Sequence, residues 1–540
     1  MAKNKHFLLL FFLVISLSSY GQGALKYLVL LKDKSNSTYQ ISQPNQFLSA
    51  RAIARRTKQN IAITTQDLPV NLTYINQIKQ TGAKVWYTSR WMNGVVIEAT
   101  SEQLSKVLAL SFVKGLEGKD PLRNYASILS AARRVSKFAM EDSPAPTGYG
   151  LSETQNLMLG VDVMHNKGFQ GQNMLIAVFD AGFTGANTIP AFSHLFNNSR
   201  VIQTYDFVEN NTFVYDYHSH GTNVLSCMAS LQTGRIIGTA PQASYALFRT
   251  EDDESESILE EVNWLIAAER ADSLGVDLIN SSLGYTVFED SNTSHTYQDM
   301  NGKTTIAARA AKWAAQRGII CTISAGNEGA DAWKYISTPA DADSIIAVGA
   351  VSSTRNVASF SSRGPSADGR IKPDLSAMGQ SVAVLNTAGN ATVSSGTSFS
   401  SPILCGMVAG LWQALPNKKA QEIIQLLKES ASDYSAPNNT IGYGIPNFNI
   451  AYLKAQIPLF EGISLAFPNP INDQLKIALS DFSAQKIYSY QVFNMLGNPI
   501  SQGSIANAIT FVDSSNWPAG VYILKLQVDQ QTIEHKIIKM

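Results

Sequence analysis

The chain lacks what several protein classes require. It has only three cysteines in 540 residues, Cys227, Cys321 and Cys405, so it is no disulfide-stapled scaffold. No Cys-His motif accompanies them, which argues against thiol chemistry, and their small, apolar flanks point to buried free thiols. A Cys227–Cys405 bridge remains an alternative, because each lies seven residues beyond a polar motif, at His220 and Ser398. Net charge is also missing: Lys+Arg and Asp+Glu both total 42. No global field therefore favours nucleic acid or an anionic membrane as partner. After the N-terminus no apolar run reaches the roughly 20 residues that cross a bilayer, so no integral membrane segment is expected in the mature chain.

What is present begins with Lys3 and Lys5, the apolar run Phe7 to Leu17, and small or polar residues to Gly23. Residues 1–23 read as a signal peptide. Residues 24–120 alternate strands (27–31, 95–99) with helices (47–57, 72–81, 101–110), which predicts a small α+β domain. Residues 121–150, rich in Ser, Ala, Arg and Pro, read as an exposed linker open to proteolysis. Residues 151–457 place apolar strands (174–180, 244–248, 276–280, 319–324, 345–351) between helices such as 255–273 and 304–317. This is the α/β pattern of a parallel sheet covered on both faces. Glu251 to Glu261 is an acidic run that reads as the solvated start of a helix. Residues 463–540 change to short alternating strands with turn residues, which predicts a small all-β sandwich.

Ser395-Gly396-Thr397-Ser398-Phe399-Ser400-Ser401-Pro402 runs straight into the apolar stretch Ile403 to Leu415. A hydroxyl there sits at a helix start, where free N–H groups and the positive end of the dipole suit a nucleophile whose attack creates an oxyanion. Taken alone, Ser398 is better explained as an N-cap. Three upstream motifs change that balance: Val178-Phe179-Asp180-Ala181-Gly182, His220-Gly221-Thr222-Asn223-Val224 and Ser324-Ala325-Gly326-Asn327-Glu328-Gly329.

The order Asp, His, Asn, Ser resembles the subtilisin-like serine proteases. So do Asn280 to Gly284, Pro339 to Asp343, Phe360 to Pro365 and Asp368 to Asp374. The resemblance covers about residues 150 to 455. It implies that Ser398 is the nucleophile, His220 the base, Asp180 the residue that orients the imidazole, and Asn327 an oxyanion donor. Ser281, Ser282, Leu283 and Gly284 would line the substrate, pairing with an extended peptide. No metal or cofactor is required for that chemistry; structural calcium, as in other members, stays open without an assigned site. The resemblance also implies that residues 24–120 are an inhibitory, folding-assisting propeptide, though a permanent binding module fits the same pattern. The C-terminal segment, with Phe467-Pro468-Asn469-Pro470, Leu496-Gly497-Asn498-Pro499 and Gly520 to Leu524, resembles the sorting domain of type IX secretion cargo; a carbohydrate- or protein-binding module is the alternative. The expected partners are protein or peptide substrates and the type IX machinery, and the expected location is secreted or cell-surface.

Departures from the family pattern are Asn223 for a second His, Ala181 after the Asp, and Met378 for a common Pro. None removes a proton-transfer or oxyanion group. His165, His194 and His218 have no matching motif and read as structural or exposed. An esterase is disfavoured because the stretch around Ser398 lacks the closing Gly of G-x-S-x-G and the His precedes the Ser. A non-catalytic adhesin has no need of a base beside a hydroxyl.

Overall fold

The computed structural model describes residues 23–118, 121–122, 148–456, 464–479, 482, 486–506 and 509–540. All of the expected signal peptide but Gly23, and nearly all of the expected linker, fall outside them.

The N-terminal domain is an antiparallel sheet of β1 (Leu25–Leu31), β2 (Lys84–Ser89), β3 (Gly94–Ala99) and β4 (Val113–Leu116), ordered β2-β3-β1-β4. Strands β2 and β4 were not evident from sequence: Val-Lys-Gly-Leu is too short and glycine-interrupted to show a period of two. In β3 both faces are buried. Val95, Ile97 and Ala99 meet Ile78 of α2 (Leu72–Gln80) and Val107 of α3 (Ser101–Leu108), whereas Val96 joins the core of the following domain. Helix α1 (Ala50–Gln59) leaves its own sheet and docks onto that domain.

The central domain is a seven-stranded parallel sheet. Its strands are β5 (Leu175–Asp180), β6 (Val201–Asp206), β7 (Ser244–Arg249), β8 (Leu278–Ser281), β9 (Ile320–Ser324), β10 (Ile346–Val351) and β11 (Leu375–Met378), in the order β11-β10-β9-β8-β5-β7-β6. Alternation within β5 explains the layering. Ile176 and Val178 pack with α4 (His220–Ala229) and α7 (Thr397–Ala414), while Ala177 and Phe179 pack with α5 (Leu259–Leu274) and α6 (Ile306–Gln316). The edge strand β6 escaped the sequence reading because Gln203 and Thr204 break its apolar run.

Two sequence expectations need correction or closure. Glu251 to Glu261 is a solvated helix start only in part: Asp253, Glu254 and Glu256 are exposed, but Glu251, Glu260 and Glu261 are buried, and the helix begins at Leu259. The buried carboxylates are held by specific donors instead. Glu261 accepts the Ala307 N–H at the start of α6 (2.9 Å), and Glu251 accepts the Tyr285 hydroxyl (2.7 Å). Burial pushes the Glu251 carboxyl up to about 8. The three thiols are free and buried, so the Cys227–Cys405 bridge does not form; burial pushes the Cys405 thiol up to about 12.

The C-terminal segment is the expected sandwich of two antiparallel sheets, with three strands (464–467, 474–479, 509–513) facing four (488–494, 499–504, 520–528, 531–539). Leu475, Ile477 and Val512 of one sheet meet Val492, Leu524 and Ile537 of the other.

Candidate active site

Parallel α/β sheets gather function outside the carboxyl ends of their strands. Here Asp180 ends β5, Ser281 ends β8 and Asn327 follows β9 by three residues, while His220 and Ser398 lie in the first turns of α4 and α7. The sequence reading expects Asp180, His220, Asn327 and Ser398 on one rim; the structure pairs His220 with Asp180, sets the α7 start beside the His220 ring and ties Asn327 to Thr397.

His220 Nδ1 lies 2.9 Å from Asp180 Oδ1. A carboxylate only accepts, so Nδ1 carries the proton and Nε2 is left as a free acceptor. Asp180 is fully buried and its Oδ1 also accepts the Ala181 N–H at 2.8 Å. Burial pushes the His220 imidazole down, but the charge of Asp180 and the hydrogen bond to it outweigh this and leave its pKa above the ordinary value. The close approach of α4 to β5 depends on Gly221: a Cβ there would come within 2.3 Å of Gly182 O and 3.0 Å of the Asp180 Cβ.

Ser398 is the second residue of α7, directly after Gly396 and Thr397. The ring of its neighbour Phe399 is 5.9 Å, centroid to centroid, from the His220 ring, which puts the helix start beside the imidazole. Four residues on, Pro402 has no N–H to give to the Ser398 carbonyl. The Ser282 hydroxyl donates to that carbonyl instead, at 2.8 Å. The Ser398 hydroxyl in turn lies 3.4 Å from Ser282 O. The helix start and the strand end are thereby locked to each other.

Asn327 is oriented by Thr397. Its Oδ1 accepts both the Thr397 N–H (2.8 Å) and the Thr397 hydroxyl (3.0 Å), which commits the oxygen side of the amide and leaves Nδ2–H₂ free. Asn327 Nδ2 and Ser398 N both lie 3.7 Å from the point where a Cβ on Gly396 would sit. Asn327 Oδ1 is equally near that point, so the side-chain amide of Asn327 and the Ser398 N–H come close to one small space at the helix start.

The segment expected to line the substrate divides by residue. Ser281 is buried and accepts the Trp264 indole N–H (3.0 Å), and Ser282 is committed to Ser398. Neither side chain is free, so only the backbone of this stretch, with half-buried Leu283 and exposed Gly284, can meet a ligand. The sequence reading missed the supporting roles of Thr397 and Ser282, although both stand inside motifs it quoted. His218 is exposed, and His165 contacts Thr239 O at 3.0 Å away from the rim.

Three family profiles match in the order the domains occur. They are a Bacteroidota peptidase S8 propeptide domain over residues 26–134, the subtilase family over 171–444, and a secretion system C-terminal sorting domain over 465–540. Among curated relatives, subtilisin DY of Bacillus licheniformis is 29% identical over 284 residues, covering 51% of this chain and 90% of its own. Serine protease AprX of Bacillus subtilis is 28% identical over 315 residues, covering 53% and 67%. With the subtilase profile spanning half of its length, the chain belongs to the subtilase family of serine endopeptidases.

Proposed function

We propose that the protein cleaves peptide bonds with Ser398 as nucleophile, His220 as base, Asp180 as the group that orients His220, and Asn327 with the Ser398 N–H as the oxyanion hole. The single observation that carries this is the 2.9 Å His220–Asp180 contact beside the helix start that bears Ser398. A serine hydroxyl is a weak nucleophile until a base takes its proton. With its Nδ1 proton held by Asp180, His220 Nε2 takes the proton from Ser398 Oγ as that oxygen attacks the carbonyl carbon. The carbonyl oxygen becomes an alkoxide facing Asn327 Nδ2 and Ser398 N. His220 then gives the proton to the departing amine, and water releases the acyl group by the same route. The backbone of residues 281–284 pairs with the extended substrate. These groups suffice for every proton transfer, so no cofactor is required; structural calcium remains open.

In this reading residues 24–120 are a removable propeptide cut off within 121–150, residues 151–457 are the protease, and residues 463–540 hand the chain to type IX secretion machinery after a signal peptide, 1–23, has exported it. Its location is then secreted or cell-surface. The test is labelling with a serine-directed phosphonate followed by peptide mapping. Modification of Ser398 with parallel loss of casein hydrolysis is expected. Full hydrolysis after Ser398 is modified, or modification at another serine that abolishes activity, overturns the assignment.

A further inference from the structure

Arg249, the last residue of β7, is 2% exposed, and a guanidinium buried that deeply must be satisfied on several sides. In register it stands between the last residues of its two neighbours, Asp180 of β5 and Asp206 of β6. Its Nη1 donates to Asp206 Oδ2 at 3.0 Å, which balances its charge, and Nη2 lies 3.8 Å from Asp252 Oδ1. Two further contacts go elsewhere. Nε donates to Ala181 O at 3.2 Å, and the face of the guanidinium stacks 3.7 Å from the ring centroid of Tyr217.

Both contacts touch segments that set the site. Ala181 is the residue whose N–H holds the Asp180 carboxylate, and among the described residues Asp180 Oδ2 has no hydrogen-bond donor. Where the Ala181 turn sits therefore fixes where the carboxylate sits. Tyr217 precedes His220 by three residues, pairs with Gly182 across an isolated bridge, and holds a positive φ of 74°, a conformation that a bulky residue keeps only when its surroundings impose it. We propose that Arg249 is a positioning residue for the Asp180–His220 pair, tying the turn that holds the Asp180 carboxylate to the segment that delivers His220. This rests on the reading of Asp180, His220 and Ser398 as the reacting set. A role confined to gluing β6 onto the sheet needs only the Asp206 contact; the Ala181 and Tyr217 contacts are what the proposal explains.

The test compares Arg249→Met and Arg249→Lys with the parent enzyme, each normalised by titration with a serine-directed phosphonate. Displacing a triad member by about an ångström costs up to roughly a hundredfold, so Arg249→Met is expected to lower kcat about ten- to a hundredfold with KM nearly unchanged. Arg249→Lys, which keeps the charge but not the fork, falls between. The groups facing the His220 ring are Asp180 and, 6.2 Å away between ring centroids, His218. A loosened Asp180 moves the acid limb of kcat/KM to lower pH, which a merely structural loss does not do. Parent-like kcat per titrated site, or a loss that tracks the melting curve with the acid limb unmoved, overturns the proposal. If Arg249→Met does not fold, Tyr217→Leu keeps both ion pairs and is expected to lower kcat by about three- to tenfold; a parent-like value overturns the proposal. A Ser398→Ala control that still hydrolyses peptide overturns the underlying site reading instead, and the positioning role with it.

Discussion

Arg56 of the N-terminal domain and Asp272 of α5 form an ion pair of 2.7 Å in which neither side chain is more than 2% exposed. Arg55 and Arg90 of the same domain reach the same carboxylate, and Asp67 bridges back from Arg56 to Arg317, at 3.0 Å each. Removing one partner from a buried network leaves uncompensated charge and costs about 3–5 kcal/mol. Asp272→Ala, made in an inactive Ser398→Ala background so that the chain stays whole, is expected to lose that much stability. Urea midpoints measure it, and an unchanged midpoint would show that the network carries no net weight.

The same network makes the docking acid-labile. Burial pushes the Asp67 carboxyl up, but Arg56 and Arg317 more than offset this and hold it at about 2. A depressed carboxyl contributes stability that is fully present above its unfolded value of about 3.9 and is lost as pH falls through the folded one. The whole chain is expected to lose about 2 kcal/mol from this group between about pH 4 and pH 2. Urea midpoints across that window test it, with Asp67→Asn as the variant in which this component disappears.

Processing should depend on the protein's own site. Ser398→Ala is expected to abolish peptide hydrolysis and to leave residues 24 to about 140 attached, as seen by intact mass on protein purified free of other proteases. Normal processing of that variant would sink self-cleavage while leaving the peptidase assignment intact.

Asn327 separates transition-state binding from architecture. Its oxygen holds Thr397, so alanine would disturb both. Asn327→Asp keeps an acceptor for Thr397 and removes the donor. The expected loss is at least about 10² to 10³ in kcat, the range for a single oxyanion-hole donor, because the new carboxylate also repels the alkoxide, with KM and Tm little changed. A loss confined to KM would place Asn327 in ground-state binding.

How much of this was legible depends on how local each signal is. Asp180, His220, Asn327 and Ser398 could be named because each sits in a short motif at a strand end or helix start, where the neighbouring residues state the local geometry. Buried charge could not be read in that way. Glu261 looks like a solvated helix residue until the Ala307 N–H arrives 46 positions later, and Arg56 finds Asp272 216 positions away. The destination of α1 was hidden for the same reason. Its ten residues announce a helix, but Arg55 donates to Arg317 O, and Gln59 to Gly318 O, just beyond the C-terminal end of α6, in another domain. The hairpins of the sandwich were readable as strands and turns, because their antiparallel neighbours lie close in sequence.

The C-terminal sandwich has its own core and should be dispensable for chemistry. Deleting residues 463–540 is expected to leave proteolysis within about twofold of the full chain when made in a heterologous host, and to strand the enzyme in the periplasm of its own. Normal appearance of the truncated form in the medium would refute the sorting role.

The three cysteines can serve as a clock. Cys227 of α4, Cys321 of β9 and Cys405 of α7 are no more than 1% exposed, and burial raises all three thiols. The nucleophilic thiolate is therefore both scarce and unreachable in the native state. A disulfide reagent added to folded enzyme should label none of them until the central domain opens as a whole. Its labelling rate in native buffer then reads the frequency of global opening directly, with no denaturant and no engineered probe.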